Sequence, residues 1–447
     1  MHQSDKMLAS ERRAAVSLAL VYVFRMLGLF MVLPVLALYA DSLPGATPTL
    51  LGLAVGAYGL TQAILQIPFG MLSDRLGRKP VIYFGLLLFA AGSVFAALSD
   101  NVYALIAARA LQGAGAIAAA VMALASDLSR DSQRTKVMAV IGASIGASFL
   151  LSLVLGPLLS AWTGVAGLFW LTAGLAIVSA AIILLVVPTP SVRSNDRRVA
   201  SAALRKVLFD KRLMTLNLSV LILHGLLTAI FVSVPFVLRD SMGLPVAKHW
   251  WVYLPLMTLS LGLAAPLIMR VGKTIPVRAA LGFSALLVIL AASVLLMSSV
   301  AVPLFLAALT IFFLAFNILE ASLPAQLSKL SMGGQKGAAL GVYSSSQFLG
   351  AFLGGVAGGA GIAAFGALGL ISIVACLGIC WVVLLFRVEL ETKLSSFAVN
   401  IAADADRLLA MPGVEEVSVV EAEGLSYVWF DPEITNEAEI SANTQKT

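Results

Sequence analysis

The sequence predicts an all-α membrane protein with twelve transmembrane helices in two six-helix halves, followed by a small α+β domain. Hydrophobic residues make up 60% of the 447 residues and charged residues only 12%, and the mean hydropathy is +0.99. Soluble domains are roughly half apolar and a quarter charged, so a soluble protein of this composition would lack the polar groups to cover its surface. The apolar residues form about twelve long segments, which one hydrophilic stretch divides six and six.

The apolar segments have the length of membrane-spanning helices. An α-helix needs ~20 residues to cross the hydrocarbon core of a bilayer. The many glycine and alanine residues in these segments let neighbouring helix backbones approach closely within a membrane. We predict spans at residues 15–39, 50–70, 80–98, 102–126, 136–160 and 165–187, and, after a gap, at 213–238, 249–270, 276–298, 302–326, 337–361 and 364–386.

The gap between the sixth and seventh segments sets the domain organisation. Residues 1–187 form the first half, 188–212 a cytoplasmic linker, 213–387 the second half and 388–447 the small domain. Within the linker, residues 202–213 predict a short amphipathic helix on the membrane surface.

The distribution of Lys and Arg predicts the orientation. Every second loop, counted from the N-terminus, is basic: these loops hold 23 Lys and Arg residues, and the other loops hold two, Arg239 and Lys248. Basic loops stay on the cytoplasmic side, so both termini are expected in the cytoplasm, which requires an even number of spans. This distribution accounts for the sequence pI of about 9.4 without a nucleic-acid partner.

The C-terminal residues differ in character from the rest. From Glu389 onward the net charge is −9, whereas the remainder of the chain carries +15. Short β-like runs (397–401, 414–420 and 427–430) alternate with helix-like runs (402–411 and 436–442), and this order predicts a small ferredoxin-like domain. The turn at 412–417 resembles one in small metal-chaperone-like domains. The Cys-x-x-Cys that binds metal in those domains is absent here, so we expect no metal site.

A compact cluster of charge lies between the second and third segments, in the sequence Gly70-Met-Leu-Ser-Asp74-Arg75-Leu-Gly77-Arg78-Lys79. Such a cluster fits a membrane chain only where a helix pair turns around in water. The spacing Gly-x-Leu-x-Asp-Arg-x-Gly-Arg-Lys resembles the loop signature of the major facilitator superfamily. The resemblance implies the major facilitator fold, with two six-helix halves around a central cavity.

The same resemblance implies a conformational latch between the halves that favours the outward-facing state. Asp74 is expected to face the start of span eleven, near Lys336 and Gly337, where a carboxylate gains from the positive end of the helix. Arg78 is expected to reach Asp127 at the end of span four. The remaining latch residues are Gly70, Arg75, Gly77 and Lys79. The alternative is an ordinary basic loop that contains one acid.

Two further patterns resemble motifs of the superfamily. Arg109-Ala-Leu-Gln112-Gly113-Ala-Gly115 in span four is similar to a motif associated with proton transfer, and the alternative is a purely structural Arg109 bonded to neighbouring backbone. Gly142-x-x-x-Gly146 and Gly156-Pro157 in span five resemble the motif associated with antiporters, with Ser160 at a position that is often glycine.

Several ionisable residues fall inside predicted spans, where a charge is unfavourable by roughly 3 kcal/mol on insertion scales. Arg25 lies near the middle of span one, His224 near the middle of span seven, and Glu320 in the cytoplasmic half of span ten. We predict that Arg25 and Glu320 line a central cavity and that Glu320 or His224 accepts a proton. The alternatives are a carboxylate bonded to loop groups at a helix end and a histidine that only packs.

Amides avoid lipid, which makes Gln62, Gln66, Asn317 and Gln347 candidates for the cavity lining. Aromatic residues that fit a drug-sized apolar pocket are Phe30, Tyr58, Phe231, Phe316, Tyr343 and Phe348, although most aromatic residues of this chain are expected to face lipid or neighbouring helices.

The resemblance as a whole implies the drug:proton antiporter branch of the superfamily. We therefore expect a proton-coupled transporter of the bacterial inner membrane that exports small, drug-like organic molecules by alternating access. Its partners are the bilayer, the small-molecule substrate and protons, with the partner of the C-terminal domain left open. No cofactor and no ATP site are expected.

Three alternatives remain at this stage. The first alternative to export is an uptake porter for a small organic anion, with Arg25 as the anion ligand. The second is a membrane sensor that signals through its C-terminal domain without transport. An enzyme is disfavoured because the sequence contains no paired metal ligands and no nucleophile motif.

Overall fold

The computed structural model describes residues 7–189, 204–297, 300–331, 336–390, 395–400, 405–420 and 425–444. Among these residues, ten helices are long and apolar enough to cross a membrane, and one of the ten runs for 50 residues, from Lys136 to Leu185. The protein is therefore a helical membrane protein with a small C-terminal α+β domain.

The first half contains seven helical elements. They are α1 (Ala9–Phe30), α2 (Leu33–Asp41), α3 (Pro48–Leu76), α4 (Arg78–Ala97), α5 (Val102–Ala114), α6 (Ala118–Asp127) and α7 (Asp131–Leu185). Two predicted spans are thus interrupted. Span one breaks between Phe30 and Leu33, directly before Pro34, and span four breaks between Ala114 and Ala118, at Gly115.

The second half follows the linker, of which residues 190–203 lie outside the described residues. Its elements are α8 (Lys211–Phe236), a π turn (Val237–Ser241), a 3-10 turn (Val246–Lys248), α9 (Trp250–Ile268), α10 (Val277–Leu295), α11 (Val302–Leu330), α12 (Lys336–Val356), a second π turn (Ala357–Gly361) and α13 (Ile362–Arg387). Residues 204–209 are helical, so the predicted amphipathic helix ends at Asp210, whose carboxylate caps α8 instead.

Spans five and six were predicted separately, and α7 covers both. The helix is interrupted at Gly164, whose φ of 68° places it in the left-handed region that favours glycine. Gly366 has a φ of 64° and interrupts α13 in the same way. At each of these glycines two helices meet across a kink without a loop between them, so α7 consists of one helix for each of spans five and six.

The two halves meet along the first part of α3 and the last part of α12. Added Cβ atoms on Gly52 and Gly359 would collide with the backbone of the opposite helix, and one on Gly56 would stand 2.9 Å from the carbonyl oxygen of Phe352. We call this contact the glycine seam: Gly52, Gly56 and Gly59 on α3, Gly355 on α12, and Gly359 in the π turn that follows α12. Only residues without a side chain permit such close backbone contact.

The opposite end of the bundle holds residues 74–79, 127–131 and 210–212, and we call it the basic end. No described residue comes within 4 Å of a Cβ placed on Gly337, at the start of α12, or on Gly142 and Gly146 of α7. The halves therefore touch backbone to backbone at the glycine seam, whereas these three glycines near the basic end face open space.

The C-terminal domain contains a three-stranded antiparallel sheet in the order β1-β3-β2, formed by β1 (Ser395–Asn400), β2 (Val414–Val420) and β3 (Leu425–Phe430). Val399, Val428 and Phe430 form its core with Leu408 of α14 (Ala405–Leu409) and Ile440 of α15 (Glu437–Thr444). Three strands and two helices are thus present where they were predicted, although residues 401–404 lie outside the described residues.

Candidate functional site

A network of buried polar groups lies inside the first half, centred on Arg25. Its Nη2 donates hydrogen bonds to Gln62 Oε1 at 2.8 Å, to Tyr58 Oη at 3.1 Å and to the carbonyl oxygen of Gly115 at 3.1 Å. Gln62 Nε2 in turn donates to Gln66 Oε1 at 2.8 Å. The predicted cavity residues Arg25, Gln62 and Gln66 are thus brought together, but each is at most 2% exposed.

Arg109 extends this network without touching Arg25. Its Nη1 donates to Gln112 Oε1 at 2.7 Å, and Gln112 Nε2 donates to Ser93 Oγ at 2.7 Å. The guanidinium carbon lies 5.1 Å from the centre of the Tyr58 ring, which is a favourable cation–π distance. Tyr58 therefore stands between the two buried cations, accepting a hydrogen bond from one and offering its ring face to the other.

The break at Gly115 makes the network feasible. Its backbone leaves the helical region, and its carbonyl oxygen accepts from the backbone N–H of Ile117 at 2.9 Å as well as from Arg25. Gly113 and Gly115 also lie directly against the backbones of α3 and α4, where a Cβ would collide with the carbonyl oxygens of Tyr58 and Gly85. The glycines of the Arg-x-x-Gln-Gly-x-Gly pattern thus allow close packing, and the carbonyl oxygen of Gly115 accepts a second hydrogen bond, from Arg25.

The second half places a carboxylate and an imidazole next to each other. Glu320 Oε2 of α11 lies 3.7 Å from His224 Nε2 of α8, an ion-pair distance rather than a hydrogen bond. Gln347 of α12 approaches the same His224 Nε2 with its Nε2 at 2.7 Å, and His224 Nδ1 lies 3.2 Å from the carbonyl oxygen of Val220. The predicted residues Glu320, His224 and Gln347 therefore form one cluster, and Asn317 lies one turn before Glu320 on α11.

The hydrogen bonds of His224 fix its neutral tautomer. A carbonyl oxygen only accepts, so Nδ1 donates to Val220, and Nε2 is left to accept from the Gln347 amide. A proton added at Nε2 would displace that amide N–H and face Glu320 Oε2. The Glu320 side chain is 39% exposed and that of His224 12% exposed, whereas the Glu320 Oε2 atom that faces His224 is buried.

Aromatic rings cover the cluster on the side of the glycine seam. Phe149 of α7 contacts Phe30 of the first half at 5.0 Å between ring centres and contacts Phe231 and Phe316 of the second half at 6.4 and 6.5 Å. Phe316 also lies 5.7 Å from the His224 ring. A second contact between the halves joins Tyr58 to Phe348 at 6.0 Å. The predicted aromatic residues Phe30, Tyr58, Phe231, Phe316 and Phe348 thus contribute to ring contacts in this region.

The loop predicted as a latch forms its ion pairs within the first half. Arg78 Nε donates to Asp127 Oδ2 at 3.0 Å, as expected, and Arg78 Nη1 donates to Asp74 Oδ1 and to Ser73 Oγ. Gly77 has a φ of 99°, which turns the chain from α3 into α4. Arg75 is exposed, Lys79 is half-buried, and Gly70 packs against Ala119.

The expected approach of Asp74 to the start of span eleven stays a prediction for the outward-facing state. In this structure Asp74 is bonded to Arg78, and a Cβ added at Gly337 would meet no described atom within 4 Å.

The antiporter-like motif lies at the break in span one. A Cβ on Gly156 would collide with the carbonyl oxygen of Met31, which follows α1, and would stand 3.2 Å from Pro34. Gly156 and Pro157 therefore fit α7 against the interrupted helix, whereas Gly142 and Gly146 face open space. This packing shows what the glycine does structurally, and its link to transport direction stays a prediction.

Sequence reasoning missed two features of the site. The first is Phe149, which connects the halves but carries no motif. The second is Glu11, 3% exposed, whose carboxylate accepts from Arg130 Nε at 2.8 Å, from Arg130 Nη2 at 2.9 Å and from the backbone of Leu8 at 2.8 Å. A lone acid beside Arg12 and Arg13 at a helix start was the available signal for the second.

Comparison with known families accounts for nearly the whole chain. Residues 18–318 match the family model of the Major Facilitator Superfamily, and residues 387–445 match the model of the YajR YAM domain. The chain is 44% identical over 444 residues to the inner membrane transport protein YajR of Escherichia coli, covering 97% of this chain and 98% of that one.

More distant proteins agree on the fold. The chain is 28% identical over 251 residues to the multidrug resistance protein MdtH of Yersinia enterocolitica, which covers 54% of this chain and 60% of that one. A crystal structure of a bacterial homologue of the human lysosomal transporter Spinster, in an inward-facing and unoccupied conformation, superimposes with a TM-score of 0.66 at 14% identity, covering 85% and 95% of the two chains. The chain therefore belongs to the Major Facilitator Superfamily, as a membrane transporter of the YajR type rather than an enzyme.

Proposed function

We propose that this transporter exports small, drug-like organic molecules from the cytoplasm in exchange for protons. The proposal includes twelve spans with both termini in the cytoplasm. The division of the 50-residue helical run at Gly164 into two spans, together with the addition of Lys336–Val356, brings the ten candidate helices to twelve. The basic end is then cytoplasmic, by the rule that basic loops stay inside. A bundle open at that end is inward-facing.

The domain bounds follow from the same proposal. The first half covers residues 1–187, the linker 188–212, the second half 213–387 and the cytoplasmic domain 388–447. The break of α7 at Gly164 lies within the first half, and the match to the YAM domain from residue 387 supports the last boundary.

The observation that carries the proposal is the pair formed by Glu320 and His224. Both side chains are ionisable, Glu320 Oε2 lies 3.7 Å from His224 Nε2, and both side chains are partly exposed. An ionisable pair within membrane-spanning helices costs free energy. Such pairs are therefore rare and serve a function, and proton relays are a common one.

The exchange follows from one proton at this pair. In the inward-facing state Glu320 releases its proton to the cytoplasm, and the exposed carboxylate then stays next to His224. After the halves rock outward, the pair takes up a proton from the periplasm and its net charge becomes more positive. The apolar cargo leaves its place among Phe149, Phe231 and Phe316 during this step. A proton entering down ~100 mV gains about 2.3 kcal/mol from the potential alone, enough to bias the direction of a cycle whose states differ modestly.

Arg25 and Arg109 have a different role in this proposal. Both are fully buried, and in the first four spans Asp and Glu occur only near helix ends. They supply a fixed positive field in the first half, which disfavours a second proton at the site. Asp74, Arg78 and Asp127 act as the latch that favours the outward-facing state once α12 approaches.

The test is Glu320→Gln in reconstituted vesicles with an imposed pH gradient. We expect cargo export to lose its dependence on the gradient, since glutamine cannot exchange a proton. Asp240→Asn is the matched control, because Asp240 is an exposed acid in the same half that pairs with its neighbour Arg239. Proton-coupled export that persists in Glu320→Gln would rule out this assignment.

The direction of transport needs a separate outcome. Import of an organic anion that is lost in Arg25→Ala, with no export of dye by the unmodified protein, would replace export by uptake. Absence of any flux with a chemically varied set of compounds would favour a sensor that signals through residues 388–447.

A further inference from the structure

The residues just before α8 combine an anchored face, an exposed apolar face and a set of cations. Val207 is fully buried and Leu204 partly buried, and both pack against the core of the second half. On the outside, Leu208 is 44% and Phe209 is 78% exposed. The segment is therefore held in place by one side while a phenylalanine ring stands free on the other.

Four cations flank the exposed apolar pair. Arg205, Lys206, Lys211 and Arg212 are all exposed, and they lie within eight residues. The single acid of the segment, Asp210, uses its Oδ1 to accept from the backbone N–H groups of Arg212 and Leu213 at 2.7 and 3.1 Å. That carboxylate is occupied as the cap of α8, and the local charge is left strongly positive.

The position of the segment decides which partner fits it. Lys211 begins a candidate membrane span, so Phe209 lies at the level where hydrocarbon gives way to lipid headgroups. Exposed apolar rings beside Lys and Arg at this depth match the chemistry of an anionic phospholipid, with acyl chain for the ring and phosphate for the cations.

The acidic C-terminal domain is the competing partner, and among the described residues its charge interacts with one of the four cations. Burial raises the pKa of Glu416, and the nearby charge of Lys206 lowers it, which places Lys206 beside that domain. In the part of the chain that the structure describes, Arg205, Lys211 and Arg212 have no carboxylate partner. An acidic protein surface would also leave Phe209 uncovered.

We propose that residues 204–212 form a binding site for the headgroups of anionic phospholipids in the leaflet at the basic end. Arg205, Lys211 and Arg212 contact the phosphates, and Phe209 with Leu208 inserts at the boundary of the acyl chains. This site is independent of the proton pair and of the direction of transport. It fixes the second half to the membrane surface at the point where the linker joins it.

The experiment uses the full-length protein in vesicles of phosphatidylcholine with spin-labelled phosphatidylglycerol or spin-labelled phosphatidylcholine as probes. The ratio of the two association constants measures the anionic preference. The variant Arg205→Gln/Lys211→Gln/Arg212→Gln is expected to lower this preference by about tenfold or more. The matched control is Arg270→Gln/Lys273→Gln/Arg278→Gln, which removes three exposed cations from another basic loop, and it is expected to change the preference less than about twofold.

Several outcomes would overturn the proposal. One is an equal loss in both triple variants, which would assign the preference to the basic end in general. Another is an unchanged lipid preference with altered proteolysis of residues 388–447, which would assign the segment to the C-terminal domain. If the triple variant fails to fold, Arg212→Gln alone is expected to lower the preference by about two- to fivefold, and Arg212→Lys to restore it; no change in Arg212→Gln would contradict the site.

Discussion

The two ends of the interface between the halves differ in the kind of contact that the described residues make. At the glycine seam, backbone meets backbone: Gly52, Gly56 and Gly59 face Phe348, Phe352, Gly355 and Gly359. At the basic end, the polar contacts of Asp74, Arg78 and Asp127 all stay inside the first half. Close backbone packing holds the halves together at the glycine seam. At the basic end, the described ion pairs do not join the halves. The balance between inward-facing and outward-facing states therefore depends on breaking the first contact and making a new one at the second.

The largest effect is expected from a side chain inside the glycine seam. In Gly52→Ala, the new Cβ would collide with the carbonyl oxygen of Gly355 and stand 3.2 Å from Cα of Gly359, and backbone cannot move aside easily. Overpacking of this kind costs about 1–3 kcal/mol, which shifts the ratio of the two states roughly 5- to 150-fold toward outward-facing. Distances between spin labels on the two halves measure the ratio.

A matched glycine gives the control for this variant. A Cβ added at Gly262 of α9 would meet no described atom within 4 Å, so Gly262→Ala is expected to leave the ratio unchanged. Equal shifts in both variants would mean that helix propensity, and not the close contact, sets the balance.

An intermediate effect is expected where rings join the halves. Phe348→Ala removes the edge-to-face contact with Tyr58, whose rings are 6.0 Å apart and inclined by 65°. Such pairs contribute about 0.5–1.5 kcal/mol, so the inward-facing population is expected to fall by about two- to tenfold. Tyr58→Phe keeps the ring and serves as the control. A larger shift in Tyr58→Phe than in Phe348→Ala would assign the effect to the hydroxyl bond with Arg25 instead.

The smallest effect is expected at the basic end. Asp74→Asn removes the charge expected to meet α12 in the outward-facing state, and exposed ionic contacts contribute about 0–1 kcal/mol. We expect a shift of at most about fivefold toward inward-facing, measured by labelling of cysteines introduced on the periplasmic side. Asp100→Asn, an exposed acid at the other end of the first half, is the control. A shift toward outward-facing in Asp74→Asn would contradict the latch.

The sequence predicted the identity of the buried polar residues better than it predicted the contacts between them. Arg25, Gln62 and Gln66, and separately Glu320, His224 and Gln347, were recognisable because polar side chains are scarce in apolar helices. Their grouping into two clusters depends on helix rotation, which hydropathy does not encode. The bond from Arg25 to Gly115 also requires a helix break that lies inside an apolar run without proline.

The position of α12 shows a second limit of sequence reasoning. Glycines at 350, 354, 355, 358 and 359 indicate close packing, but not which face meets α3 and which meets α8. In the structure, Gly355 and Gly359 face α3, while Gly350 and Gly354 face α8. The expected contact between Asp74 and this helix stays a prediction for the outward-facing arrangement, and the sequence of a transporter has to be compatible with both arrangements.

The glycine seam has a consequence for a bacterium whose surroundings change. In the proposed orientation this seal faces the periplasm, where acidity and salinity follow the growth medium. The atoms in contact at the seam are backbone atoms and hydrogens. None of them can gain a proton or carries a charge that ions could screen. Changes in pH or salt outside the cell therefore do not act directly on the closed seam, and its opening depends on events on the cytoplasmic side.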